Sequence, residues 1–296
     1  MEIILNDRTA SLILPNRDPN GHKGSFGRAF AYIGSKKFLG AAHLALEAML
    51  RGGCGYTEIA GEDTLISSLL EKFPEAIYTT LPPTDKLSDN DIDMVCEKSA
   101  AANATLIGCG SSVSNTLASL TVRLLNINTK NPIILDADAL NSIARYCEPI
   151  EAIQNSKRPV IITPHEMEFS RLTKLLPDKI HNDRIRIARQ IAEKLGCVIA
   201  LKGHCTVITD GQKTYVNQTG SSALAKGGSG DALAGLLASL VASSNTSAID
   251  LTALACYIHG AAGDSLAQIF SDYGVTPSDL PREMAKMIKR LSDIKT

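Results

Sequence analysis

The chain reads as an α/β protein: a mostly parallel central sheet flanked by helices, with an antiparallel hairpin at one edge. Three observations predict this class. Short β-prone runs alternate with apolar helical patterns, the rhythm of parallel strands joined by helical crossovers. Past Leu201 the rhythm changes, because Thr206-Val207-Ile208-Thr209 and Lys213-Thr214-Tyr215-Val216 flank Asp210-Gly211-Gln212, a hairpin signal. From Asp231 onward the pattern is mainly helical.

Taken in order, Ala29 to Ile33 is the first expected strand. The helix from Ala41 to Leu50 is apolar nearly all round, as a buried helix is, and it stops at Arg51-Gly52-Gly53. Its start, Gly40-Ala41-Ala42, has almost no side-chain bulk, which suits either close helix packing or a ligand contact. Tyr56 to Ile59 is the next strand, and Pro82-Pro83 marks a loop too short to demand a domain boundary. Thr105 to Ile107 is followed by the helical pattern Asn115 to Leu125 and the strand Ile133 to Leu135. Val160 to Thr163, a helix over Asp183 to Leu195 and the strand Val198 to Leu201 complete the alternation. No linker or internal repeat divides the chain, so a single domain over residues 1–296 is expected.

Of 296 residues, 44% are hydrophobic and 21% charged, enough to bury a large core. Thirty basic against 31 acidic residues give a formal charge of -1, which argues against a polyanion-binding surface and hence against nucleic-acid partners. Charges within the first eight residues leave no secretory apolar region, and no apolar run is long enough to span a bilayer. A cytoplasmic protein without membrane partners is therefore expected. Seven scattered cysteines without a C-x-x-C pair suit a reducing compartment, with neither disulfides nor a zinc site.

Candidate chemistry gathers at the predicted strand ends. Gly227-Gly228-Ser229-Gly230-Asp231 leads directly into an apolar helical run. Such a turn leaves backbone N–H groups uncovered at the positive end of a helix, where they hold a phosphate. Asp231 is then either a first-turn charge or a base that takes a proton from a hydroxyl attacking phosphorus. Gly108-Cys109-Gly110 follows one strand, and Asp136-Ala137-Asp138-Ala139-Leu140-Asn141 follows another, where its carboxylates arrange a metal or cap a helix. Thr163-Pro164-His165-Glu166-Met167-Glu168 follows a third, with His165 and Glu168 on one helical face. Lys202-Gly203-His204-Cys205-Thr206 follows a fourth and sets a cation beside a flexible glycine and a hydroxyl. His22-Lys23-Gly24-Ser25-Phe26-Gly27-Arg28 precedes the first strand as either a surface loop or a phosphate-facing one, and it lacks the Walker spacing. Open parallel sheets bind nucleotide and substrate along such a carboxyl edge.

These motifs, in this order, resemble the ADP-dependent NAD(P)H-hydrate dehydratases of the ribokinase-like superfamily. The residues that carry the resemblance are His22-Lys23-Gly24-x-Phe26-Gly27, Asp136 to Asn141, Thr163-Pro164-His165-x-x-Glu168-Phe169, Leu201-Lys202-Gly203, Gly227 to Asp231 and His259-Gly260-Ala261-Ala262-Gly263-Asp264. The resemblance implies a ribokinase-like fold and repair of the 6S hydrate of NADH or NADPH, dehydrated at the expense of ADP, or ATP, to give AMP and phosphate. It implies that Ala41, Gly110, His165 and Asp231 contact the hydrated dinucleotide, with Asp231 as catalytic base. Lys202, Gly203, His204, Cys205, Thr206, Gly228, Ser229 and Gly230 would hold the nucleotide, with Mg2+ offsetting phosphate charge and Glu168 organising that metal through water. A homotetramer is implied, as is a separate epimerase, since the dehydratase-like motifs begin by His22. Where the family usually shows a glycine-proline-glycine run, this chain has Gly108-Cys109-Gly110-Ser111-Ser112. Two rival readings share the glycine turn: a ribokinase-like kinase of a small hydroxylated vitamin precursor, and a catalytically silent nucleotide-sensing module. His165, where related kinases usually carry asparagine, argues against the first, and Asp231 against the second.

Overall fold

The computed structural model describes residues 2–295. Its centre is a sheet that has ten strands among the described residues. They are β1 (Glu2–Ile4), β2 (Arg28–Tyr32), β3 (Tyr56–Glu62), β4 (Ile77–Leu81), β5 (Ala104–Ile107), β6 (Ile133–Leu135), β7 (Val160–Ile162), β8 (Val198–Leu201), β9 (Thr206–Thr209) and β10 (Thr214–Asn217). In space they run β1-β10-β9-β8-β7-β6-β5-β2-β3-β4. All pairings from β4 across to β8 are parallel, whereas β9 is antiparallel to both β8 and β10. The expected hairpin therefore extends this side of the sheet, and β1 continues past it, parallel to β10.

The central strands Ile133–Leu135, Val160–Ile162 and Val198–Leu201 are buried along their whole length, because helices cover both faces and leave no polar side to alternate with. Along β2 the two faces separate cleanly. Ala29 and Ala31 join an apolar layer with the helices Leu39–Arg51, Ser229–Ala242 and Ala248–Gly274, while Phe30 and Tyr32 point into the opposite layer. That second layer contains the helices Asn115–Leu125, Asp138–Tyr146, Glu166–Thr173 and Arg184–Leu195.

Strands β1 and β4 escape sequence reading. Both are edge strands that keep exposed residues, so neither shows the continuous apolar run of a buried parallel strand. The helix expected from Ala41 starts two residues earlier, at Leu39. Among the described residues, no helix is long and apolar enough to cross a membrane.

The cluster His22 to Arg28 forms a short 3-10 turn at the N-terminal end of β2. Gly27 lies against the carbonyl of Ala242, the last residue of the helix that begins at Ser229. Fourteen helical residues span roughly 21 Å, so this loop sits at the far end of the sheet from Asp231. The phosphate-facing reading of this loop is overturned. Its side chains serve the local structure: His22 Nδ1 accepts the Gly24 N–H at 3.1 Å, and the Arg17 guanidinium stacks 3.8 Å from the Phe26 ring.

Candidate active site

Four neighbouring strands, β5, β6, β7 and β8, end along the same edge and deliver Gly108, Asp136, Thr163 and Lys202 side by side. This is the crevice position of open parallel sheets. Asp136 is almost fully buried and collects the donors of its neighbours. Lys202 Nζ donates to its Oδ1 at 2.7 Å, and the Thr163 hydroxyl donates to the same oxygen at 2.7 Å. The Cys109 thiol donates to Oδ2 at 3.5 Å. The sequence offered Asp136 as a metal ligand or helix cap, but it is the partner of Lys202. The helix it precedes is capped by Ala137, held at φ 47°, a conformation that costs a non-glycine residue on the order of 1–3 kcal/mol.

Asp231 completes the cluster from across the crevice, in the first turn of the helix Ser229–Ala242. Side-chain atoms of Cys109, Asp136 and Asp231 all lie within 4.8 Å of one another. Burial, followed by the Asp136 charge, raises the Asp231 carboxyl to about 6, although Lys202 pulls in the opposite direction. That is close to the value a general base needs near neutral pH. Burial would lower the Lys202 ammonium, but Asp136 and then Glu168 outweigh it and hold the group above its ordinary value. Burial also pushes the Cys109 thiol well up, with Asp136 and Asp231 adding to it, so this sulfur stays protonated.

The turn before Asp231 depends on glycine. Gly228 adopts φ 106°, a left-handed conformation that other residues rarely take; the Ser229 N–H donates to the Lys226 carbonyl at 3.2 Å, and the N–H groups of Gly230 and Asp231 follow in the first turn. A Cβ on Gly230 would lie 3.4 Å from Lys202 Nζ, which places the lysine ammonium directly beside the turn. Helix dipole, first-turn N–H groups and the neighbouring ammonium together suit an anion at this turn. Beneath it, the neutral ring of His259 donates from Nε2 to the Ser229 carbonyl at 3.0 Å; burial lowers this histidine to about 4. The alternating helical pattern gives no sign of this support, since a buried histidine reads as core.

His165 and Glu168 form a reciprocal cap. His165 Nδ1 accepts the N–H groups of Met167 and Glu168 at 3.1 and 3.3 Å, and Glu168 Oε2 accepts the His165 N–H at 2.9 Å. With Nδ1 accepting, the ring proton sits on Nε2, 3.3 Å from Glu168 Oε1. Burial, then Lys202, lowers the His165 pKa, so the ring is neutral at pH 7 while half of its side chain stays exposed. His165 also bridges in parallel to Lys202, and the Lys202 N–H donates to the Pro164 carbonyl at 2.8 Å. The helix Glu166–Thr173 is thus capped by His165 itself.

Ala41 and Gly110 meet directly. Gly110 takes φ 62°, and a Cβ there would fall 2.6 Å from the Ala41 Cβ and 2.9 Å from that of Phe38. The small residues at Gly40-Ala41-Ala42 serve packing, with Ala42 fully buried and Ala41 against Gly110. Beyond Lys202 the chain turns through Gly203, exposed His204 and Cys205 at φ 55°, and the Thr206 hydroxyl closes the turn on the Gly203 carbonyl at 3.0 Å.

The oxygen donors here suit a hard cation such as magnesium, whereas the protonated Cys109 sulfur does not. Glu168 is buried, and burial raises its carboxyl while Lys202 pulls it the other way. It lies outside the Cys109, Asp136 and Asp231 group.

A family model described as NAD(P)H-hydrate dehydratase matches residues 31–288. The ADP-dependent (S)-NAD(P)H-hydrate dehydratase of Neisseria meningitidis is 31% identical over 254 residues, covering 85% of this chain and 81% of that protein. The bifunctional NAD(P)H-hydrate repair enzyme Nnr of Moorella thermoacetica is 34% identical over 284 residues, which cover 95% of this chain and 52% of that protein. The chain thus spans about half the length of such bifunctional relatives. In structure it superposes on an ADP/ATP-dependent NAD(P)H-hydrate dehydratase from Bacillus subtilis, co-crystallised with ATP/Mg2+, with a TM-score of 0.83 and 28% identity over 98% of each chain. With fold, site and sequence in agreement, this chain belongs to the NAD(P)H-hydrate dehydratase family.

Proposed function

We propose that this chain dehydrates the 6S hydrate of NADH or NADPH, consuming ADP and releasing AMP and phosphate. The observation that supports this reading best is Asp231, raised to about 6 beside an anion-binding turn and the Lys202 ammonium. Asp231 takes the proton of the ring hydroxyl as the hydroxyl oxygen attacks the terminal phosphorus of ADP. The new oxygen–phosphorus bond forms as the bond to AMP breaks. Lys202 and the N–H groups of the Gly228 to Gly230 turn bear the developing charge. Phosphate then leaves with its ring oxygen, expelled by the lone pair of the ring nitrogen, and loss of a neighbouring ring proton restores the dihydronicotinamide. Ala41, Gly110 and His165 line the hydrated ring, and the segment Lys202 to Thr206 cradles the nucleotide. Glu168 would organise magnesium through water, and the metal would neutralise phosphate charge. An epimerase activity supplies the S form, and a homo-oligomer is the assembly the resemblance implies.

The test is to incubate the purified protein with hydrated NADH, Mg2+ and either ADP or ATP, and to follow the absorbance of regenerated NADH. Regeneration with ADP is expected. No regeneration with either nucleotide would overturn the dehydratase reading.

A further inference from the structure

A second cationic site adjoins the first. A cleft of about 590 Å³ opens between the helices Asp138–Tyr146 and Glu166–Thr173, lined by Val113, Asn141, Ala144, Arg145, Arg171 and Lys174. Its size suits part of a small molecule. No carboxylate lines it, and among the described residues none of its three cations forms an ion pair. Two of them are held by neutral groups, and Arg145 lies 5.3 Å from the Tyr146 ring. Arg171 Nη1 donates to Asn141 Oδ1 at 2.8 Å, and Lys174 Nζ donates to the Ala144 carbonyl at 3.3 Å. Lys174 adopts φ 60°, so a lysine occupies a left-handed helix end that glycine or asparagine usually fills. Three like charges around a cleft that no carboxylate lines repel one another and favour an anion between them.

The position of the cleft says which anion. Both helices start at the catalytic cluster, one with Asp138 and the other with the cap His165. Arg145 is seven residues along the first, roughly 10 Å, and Arg171 six beyond His165, roughly 9 Å. Arg171 is close enough to act electrostatically on both His165 and Glu168. A ligand reacting at Asp231 and extending past His165 therefore runs into the cleft. We infer that the cleft holds the adenosine end of the dinucleotide substrate, with a phosphate against Arg145, Arg171 and Lys174 and apolar contact from Val113 and Ala144. This rests on the dehydratase reading given above. The phosphate is either the pyrophosphate, common to both dinucleotides, or the 2′-phosphate that distinguishes NADPH.

Calorimetric titration of NADPH and of NADH into the wild type, Arg145→Ala and Lys174→Ala separates the possibilities without turnover. Each substitution removes one charge-assisted contact, so binding should weaken about tenfold. ADP affinity should not move, and Arg145→Lys should restore most of the loss. Weakening of NADPH alone assigns the cleft to the 2′-phosphate; equal weakening of both assigns it to the pyrophosphate. Unchanged binding of both in both variants would overturn the assignment. Hydrate turnover by the wild type judges the dehydratase reading separately, so absence of turnover with cleft-dependent NADPH binding would remove that reading alone.

Discussion

Replacing Asp231 with asparagine should make the protein more stable and nearly inactive at once. The carboxyl is raised from 3.8 to about 6, first by burial and then by Asp136. A group with a raised folded-state pKa favours folding fully only below its unfolded value, and that contribution is lost as pH rises through the folded value. The shift of about 2 units corresponds to about 3 kcal/mol of stability that disappears between roughly pH 4 and pH 6. Asp231→Asn cannot ionise and escapes this loss. Its stability advantage should therefore be absent at pH 4, grow to pH 6 and stay level above it, where Tm should rise by roughly 5 °C. Turnover should fall by a factor on the order of 10² to 10⁴, because the proton acceptor is gone. ADP should bind as well as before or better, since a like charge beside the phosphate is removed while Lys202 keeps Asp136 as partner. Urea unfolding across pH 4 to 8, with ADP calorimetry at pH 8, measures all three. A variant that is less stable at pH 8 and has lost ADP binding would show that Asp231 is a structural partner of Lys202 and would refute the reasoning.

In the wild type, kcat/KM for the hydrate should fall about tenfold per pH unit below about 6, as Asp231 takes up its proton, and a rate profile flat to pH 5 would contradict its role as base. Lys202→Met strips Asp136 of its cation inside a buried site, so unfolding should be easier by about 3–5 kcal/mol and the acid limb of the rate profile should move to higher pH. Gly110→Ala forces a Cβ to within 2.6 Å of Ala41 in a left-handed backbone, and it should raise KM for the hydrate while leaving KM for ADP unchanged. Steady-state kinetics with each substrate varied in turn would check it.

The strands that matter for chemistry were legible because each is a short apolar run ended by a polar residue. Ile133-Ile134-Leu135 before Asp136 and Val198 to Leu201 before Lys202 show this directly. Parallel strands covered on both faces write themselves that way. The edge strands β1 and β4 do not, because exposure interrupts their runs. Pairing was not legible either. Asp136 and Lys202 are 66 residues apart, and they meet only because β7 alone separates β6 from β8. The loop at His22 was open to a surface or a phosphate-facing reading for a local reason, its bases and glycines, whereas its position at the opposite sheet edge is a property of strand direction. His165 was visible as an unusual residue, but its service as helix cap depends on a ring rotamer that spacing does not encode.

The same electrostatics explains why this site needs more than a base and a lysine. Lys202 is shared: its ammonium is bonded to Asp136, raised by Glu168 and felt by Asp231. A nucleotide phosphate arriving beside Gly230 competes for that one cation and adds negative charge within a few ångströms of Asp231. Unopposed, it would push Asp231 above 6, and at neutral pH the base would already hold the proton it must accept. Charge has to enter the crevice partly neutralised. The helix N-terminus supplies some of this compensation through fixed dipoles, and a magnesium ion carried on the phosphates would supply the rest. Under the proposed function, a divalent cation would govern the protonation state of Asp231 as well as the charge on phosphorus, so lowering its concentration should move the acid limb of the rate profile to higher pH.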